Sequence, residues 1–307
     1  MNLIDRIQGL LLWTLVYEWW GSLFLALLVV GILVVVRRTV RTDHGPGLRR
    51  TAAVGGLGIL LAWFFVNALG YFSFTPFQVR WWVAVAPVLV ATVAVVVALL
   101  RARPDARPEV PVTPLARRGW LSFTRRRDSI TGMIVLAALV VTVIAAGAAS
   151  APDDNGWYAI ILIPVGDQGA GSATFFGWAY GLPLLAAVVV LAAALAWALH
   201  RDAARPFLRP DTVAAETAAR RSTSAVLFSL AVPAALLGLA SAVHMVADAG
   251  LGSVGVGIPG VGNFNYSTGY AAFAPAMMWL SGGLRVWAIV WLLLAILGRR
   301  VGARSSS

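Results

Sequence analysis

Residues 81–103 read WWVAVAPVLVATVAVVVALLRAR, and this stretch decides the fold. Positions 81 to 100 carry no charge, and a helix of that length just crosses a hydrocarbon core of about 30 Å. The apolar residues are continuous and do not alternate as they would in a barrel strand. The backbone must therefore close its hydrogen bonds within a helix. A tryptophan pair stands at one end, where an interfacial aromatic belt would lie, and arginines follow the other.

Six further runs repeat the pattern, at about 12–36, 52–73, 130–150, 175–199, 223–247 and 272–298. Arginines follow the first run (37, 38, 41, 49, 50), the third (101 to 127), the fifth (201 to 221) and the seventh (299, 300, 304). These clusters hold 21 of the 24 basic residues, leaving Arg6 and Arg80 on the other side and Arg285 within a span. By the positive-inside rule the arginine-rich side is cytoplasmic. The expected fold is all-α: a polytopic integral membrane helix bundle of seven transmembrane helices, forming a single domain over residues 1–307. Its N-terminus is outside, its C-terminus is cytoplasmic, and it sits in the cell inner (cytoplasmic) membrane. No small-residue cleavage site follows the first run and Trp19-Trp20 suits an aromatic belt, so that helix is expected to be retained.

Composition agrees: the chain is 60% hydrophobic with mean hydropathy +0.82, too apolar for an ordinary soluble globule. The longest polar stretch, 101–129, is too short to bury a core of its own. Its four prolines among eight arginines read as an extended basic linker, with Trp120 and Phe123 dipping into the headgroups. The net charge of +11 sits in short loops that orient the helices, so its expected partner is the bilayer's anionic headgroups and not nucleic acid. Heavy use of Ala, Val, Gly, Leu and Arg fits a GC-rich bacterial genome.

Several chemistries fall away. There is no lysine to hold retinal and no cysteine for disulfides or thiolate metal sites. His44, His200 and His244 lie at three different depths, which removes paired haem ligation. The string Gly255-Val-Gly257-Ile-Pro-Gly260 has no βαβ context, so it does not read as a dinucleotide site. Cofactors, metals and catalytic residues are all expected to be none.

After the first helix, the remaining six group into three hairpins, possibly parallel repeats of one another. Each returning helix has an aromatic residue five positions before a proline: Trp82 and Pro87, Trp178 and Pro183, Tyr270 and Pro275. Such repeats suit a transporter, although positive-inside placement and early-helix prolines could also produce them separately. Gly177 and Gly181, four apart, predict close packing of the fifth span against a neighbour. Asp211 to Glu216 reads as a capped, interfacial start to the sixth span.

Polar residues inside or near spans gather at the extracytoplasmic end. Helical rise places Glu18, Asn67 and His244 in the outer leaflet and Arg285 roughly 21 Å above the inner boundary. There an arginine costs at least ~2.5–3.5 kcal/mol unless paired or hydrated. Either Arg285 lines an outward-open cavity, binding an anionic group or pairing with Glu18 or Asp248, or it snorkels to the headgroups. Two outer loops offer further recognition candidates: Asp153, Asp154, Trp157 and Asp167 in the first, Asn263, Asn265 and Tyr266 in the second. The apolar stretch 159–165 is too short to span and is expected to be interfacial or re-entrant.

Two function classes fit. One is a transport-related, permease-like component, with any ATP supplied through an ATP-binding partner. The other is a non-catalytic accessory or scaffold subunit packed against another membrane subunit. The topology itself is testable: reporter fusions within 101–129 should report the cytoplasm and fusions within 151–174 the opposite side. The inverse pattern would turn the map over.

Overall fold

The computed structural model describes residues 18–36, 39–41, 45–72, 80–101, 119–165, 169–207, 209, 211–258 and 262–301. Helices α1 (Trp19–Val35), α2 (Pro46–Phe72), α3 (Trp82–Arg101), α4 (Arg126–Ala149), α5 (Trp178–Ala204), α6 (Val213–Leu251) and α7 (Ala274–Ile296) form a membrane-type bundle. Six of them, α2 to α7, are long and apolar enough to cross a bilayer. At 17 residues α1 is shorter, and the expected start of that span, residues 12–17, lies outside the described residues. Large apolar side chains such as Phe24, Leu61, Phe65, Val93, Val141 and Val189 stand exposed around the bundle, as lipid contact requires.

The hub is α6, a continuous helix of 39 residues that rises about 58 Å. It packs against α2, α3, α4, α5 and α7, while α1 lies on α7. Its start is set locally, by a Thr212 hydroxyl hydrogen bond to Glu216 Oε1 at 2.6 Å. The expected interfacial segment and sixth span are thus one helix. Close approach elsewhere depends on absent side chains. A Cβ on Gly181 of α5 would lie 2.5 Å from Val143 of α4, and one on Gly147 of α4 would lie 2.5 Å from Trp178. The expected small-residue contact of the fifth span is therefore with α4.

The hairpins α2–α3, α4–α5 and α6–α7 each pack internally. In the first two the aromatic residue opens the returning helix, at Trp82 and Trp178, with the proline five positions on. In the third, Tyr270 precedes a 3-10 turn and Pro275 falls in the first turn of α7.

At the end opposite the arginines, the structure departs from an all-α chain. Residues 159–165, expected to be interfacial or re-entrant, are extended and not helical. Most of them form strand β3 (Tyr158–Pro164), paired antiparallel with β2 (Ala151–Pro152) and β4 (Ala170–Thr174), with Leu162 opposite Ser172. Ala159, Ile161 and Ile163 turn towards the protein, while Tyr158 and Leu162 stay exposed. A second hairpin, β5 (Ser253–Ile258) and β6 (Gly262–Ser267), follows α6. The two sheets meet where a Cβ on Gly171 of β4 would lie 2.5 Å from Val254 of β5. Together they cap that end of the bundle. At the arginine-rich end, strand β1 (Thr39–Arg41) pairs with β7 (Arg299–Val301) and joins the segments that follow α1 and α7.

Arg220 latches the arginine-rich end. It is only 6% exposed and sits between two rings, with its guanidinium carbon 4.6 Å from the Phe207 centroid and 5.2 Å from that of Phe123. Nη1 donates to the Arg205 carbonyl at 3.0 Å and Nη2 to that of Pro206 at 3.1 Å. Glu216 lies 3.7 Å away, and the Ser224 hydroxyl donates to the Phe123 carbonyl at 2.9 Å. Phe123 is thus held against α6, whereas Trp120 remains exposed. Removing this cation–π pair and two charged hydrogen bonds by Arg220→Ala should cost about 2–4 kcal/mol. Thermal unfolding in detergent should show it, together with faster tryptic cleavage at 125–127, and Arg220→Lys should restore only part of the loss.

Candidate functional site

Arg285 is 5% exposed, so it points into the bundle and does not snorkel to the headgroups. Of the two alternatives, this burial argues against snorkelling, and Arg285 faces a cavity. Its side chain lines a cavity of about 90 Å³ together with Asn67, Arg80, Tyr180, Ser241 and His244, walled by Trp63 and Phe176. Five chain segments therefore converge on one small polar space.

Local structure explains how each donor arrives. Asn67 sits five residues before the end of α2, and its Nδ2 donates to the Trp63 carbonyl at 2.7 Å. That bond fixes the amide and leaves its Oδ1 and second N–H available to other partners. Arg80 stands just ahead of α3, and its backbone is hydrogen-bonded to the Tyr180 hydroxyl at the head of α5. Ser241 and His244 lie three apart on one face of α6, and the Ser241 hydroxyl donates back to the Leu237 carbonyl at 2.9 Å. Tyr270 braces the same stretch, its hydroxyl donating to the Val246 carbonyl at 3.0 Å.

Glu18 and Asp248 stand outside the lining but not outside the site's field. Glu18 precedes α1 and acts electrostatically on Arg285, while Asp248 acts on His244, as Arg285 also does. Counting helical rise from the arginine-rich end puts the start of α1 more than a turn further from that end than Arg285. Of the five residues expected at an outer cavity, Arg285, Asn67 and His244 share this lining, while Glu18 and Asp248 are not part of it. Sequence reading missed Arg80 and Tyr180. Arg80 was visible as the lone arginine beside an arginine-poor end, but nothing in spacing joined it to Arg285.

The outer-loop candidates are less coherent. Asp153 Oδ1 accepts from the backbone N–H of Asn155 at 2.9 Å and of Trp157 at 2.8 Å, so this carboxylate organises its own turn. Asp154, Trp157 and Asn265 are exposed on the cap, and Tyr266 is half-buried. Asp167 and the side chain of Asn263 lie outside the described residues. Among the described residues, no group of three or more His, Asp or Glu side chains could hold a metal ion. A larger cavity, about 640 Å³, opens at the arginine-rich end, where only lipid-facing charge was expected.

Comparison with protein-family models, with curated proteins and with solved structures finds no match to this chain.

Because the chain lacks cysteine, a single Asn67→Cys substitution reports on this cavity alone. With Arg80 and Arg285 lining it, a small anionic methanethiosulfonate should modify that thiol about tenfold faster than a cationic one of similar size, a difference of roughly 1.4 kcal/mol. Arg285→Gln in the same background should shrink the preference.

Proposed function

We propose that this chain is a permease-like component of the bacterial cytoplasmic membrane. Seven helices span the bilayer with the N-terminus outside, and the outer polar cavity receives a small anion. The observation that carries this reading is the convergence of Arg285 and Arg80 with the amide, imidazole and hydroxyl groups of Asn67, His244 and Tyr180 on one buried space. Two guanidiniums in a low-dielectric wall favour negative charge, and the neutral groups around them provide directional hydrogen bonds. Size narrows the class. About 90 Å³ is roughly three water volumes, well below the 300–1,000 Å³ typical of drug-sized ligands. Chloride, nitrate or a one- or two-carbon carboxylate would fit, and a sugar or nucleotide would not.

The accessory-subunit reading has its own support. On α6 every residue from Leu230 to Ala240 is buried, so along this helix about 16 Å of packed apolar chain lies between the two linings, although on α7 Arg285 and Trp287, one in each lining, are two residues apart. A permease would show this as its occluded state, and a scaffold as its resting and only state.

Proteoliposomes distinguish the two. The unaltered protein should speed entry of labelled nitrate or acetate above that of empty liposomes, and Arg285→Leu should abolish the gain without lowering thermal stability. If both proteins leave entry at the empty-liposome rate while Arg285→Leu expresses better, the permease reading fails. The buried guanidinium would then be structural.

A further inference from the structure

The cavity at the arginine-rich end differs in kind from the outer one. Helices α4 and α7 each pack against α6, and between them runs a groove of about 640 Å³ with α6 as its floor. Ala214, Thr217, Ala218, Ser222, Ala225 and Ser229 line that floor. With Arg221 and Phe228 they form two adjacent rows at three- or four-residue spacing, so this face of the helix is mostly small and lightly polar over about 22 Å.

The groove's two ends have opposite chemistry. At its mouth stand Arg125, Arg127 and Arg221, all exposed, against a single carboxylate, Asp128. The hydroxyls of Thr131, Thr217 and Ser222 lie beside them. The mouth also adjoins the first turn of α4, whose preceding residue Arg125 makes no side-chain cap, so backbone N–H groups there add positive potential. Deeper in, the lining becomes Phe228, Trp287, Val290, Trp291 and Leu294. Trp287 lies twelve residues before Arg299, about 18 Å along the helix from the arginine layer. It is 47% exposed, on the groove's rim at that depth.

A soluble anion would satisfy the mouth and leave the aromatic half of the groove wet. A neutral hydrophobe would satisfy the depth and leave three guanidiniums facing a single carboxylate. We propose that the groove holds one anionic phospholipid, with its phosphate between Arg127 and Arg221 and an acyl chain along α6 towards Trp287 and Trp291. The assignment is independent of the outer cavity and of whether anything crosses the protein. It differs from diffuse headgroup attraction because it requires a single lipid, held at both ends by named residues.

Native mass spectrometry of the detergent-purified full chain tests it, with phosphatidylglycerol and phosphatidylcholine of identical acyl chains as probes. One phosphatidylglycerol should remain bound about tenfold more tightly than phosphatidylcholine, and excess inorganic phosphate should not displace it. Arg127→Gln combined with Arg221→Gln changes two exposed side chains and should erase the preference. Ala225→Trp keeps the charges but fills the floor and should lose the lipid. Ser222→Leu is the milder plug should that variant fail to fold. The proposal is overturned if the double glutamine variant keeps its preference, if inorganic phosphate alone displaces the lipid, or if a folded, plugged variant still retains it.

Discussion

The cost of placing a guanidinium in hydrocarbon organises this protein. Most arginines avoid it by falling in the sequence segments that join alternate apolar runs. Arg220 meets the problem differently, exchanging water for two carbonyls, a carboxylate and two aromatic faces. Arg285 meets it by turning inwards to a polar space built by several helices. These solutions leave different marks on the fold: a topology, a latch and a cavity.

Both the latch and the cavity need α6 to be crowded on all sides. Its central stretch is Ala, Leu, Val and Gly, which let neighbouring helices approach closely without losing volume to long side chains. Gly238 shows the margin: a Cβ there would meet Leu184 at 3.0 Å and the Ala84 carbonyl at 3.6 Å, on two different helices. In lipid the hydrophobic effect does not drive helices together, so such tight contacts supply the association. A helix packed by so many partners can carry polar groups at both ends because its middle is sealed.

What could be read from sequence follows from which forces are local. Length, continuity and arginine placement are properties of the chain alone, and they located all six long helices to within a few residues except at the N-terminal sides of α2, α4 and α6 and the C-terminal ends of α5 and α6, which run four to ten residues further. At the starts of α4 and α6 the helices continue into the basic segments, held by Asp128 in the first turn of α4 and by the Thr212–Glu216 contact before α6. The β cap was missed because YAIILIP was weighed only against the length of a span, although its β-branched and aromatic residues suit a strand. Arg285, Asn67 and His244 were found by the cost of polar groups at depth. Arg80 and Tyr180 were not, because their place in the cavity is made by contacts between α3 and α5 that no spacing records. The inner groove was invisible for a related reason. Ala, Ser and Thr on a helix face look like ordinary packing until the neighbours are known to stand apart.

One helix, α6, contributes to the lining of both cavities. Pro233 lies near the middle of the sealed stretch of α6, where its missing N–H leaves one carbonyl of the preceding turn without its helical donor. Any bend in α6 is therefore cheapest between the groove below and the polar cavity above. Bending there would change the distance between α4 and α7, which flank the groove, and would carry Ser241 and His244 relative to Arg285 on α7. A lipid wedged against the floor would oppose that motion at one end, and charge bound at Arg285 would bias it at the other. Coupling of this kind needs no continuous polar path through the bundle. It needs only one helix, shared by both sites, with its weakest hydrogen-bonded turn between them.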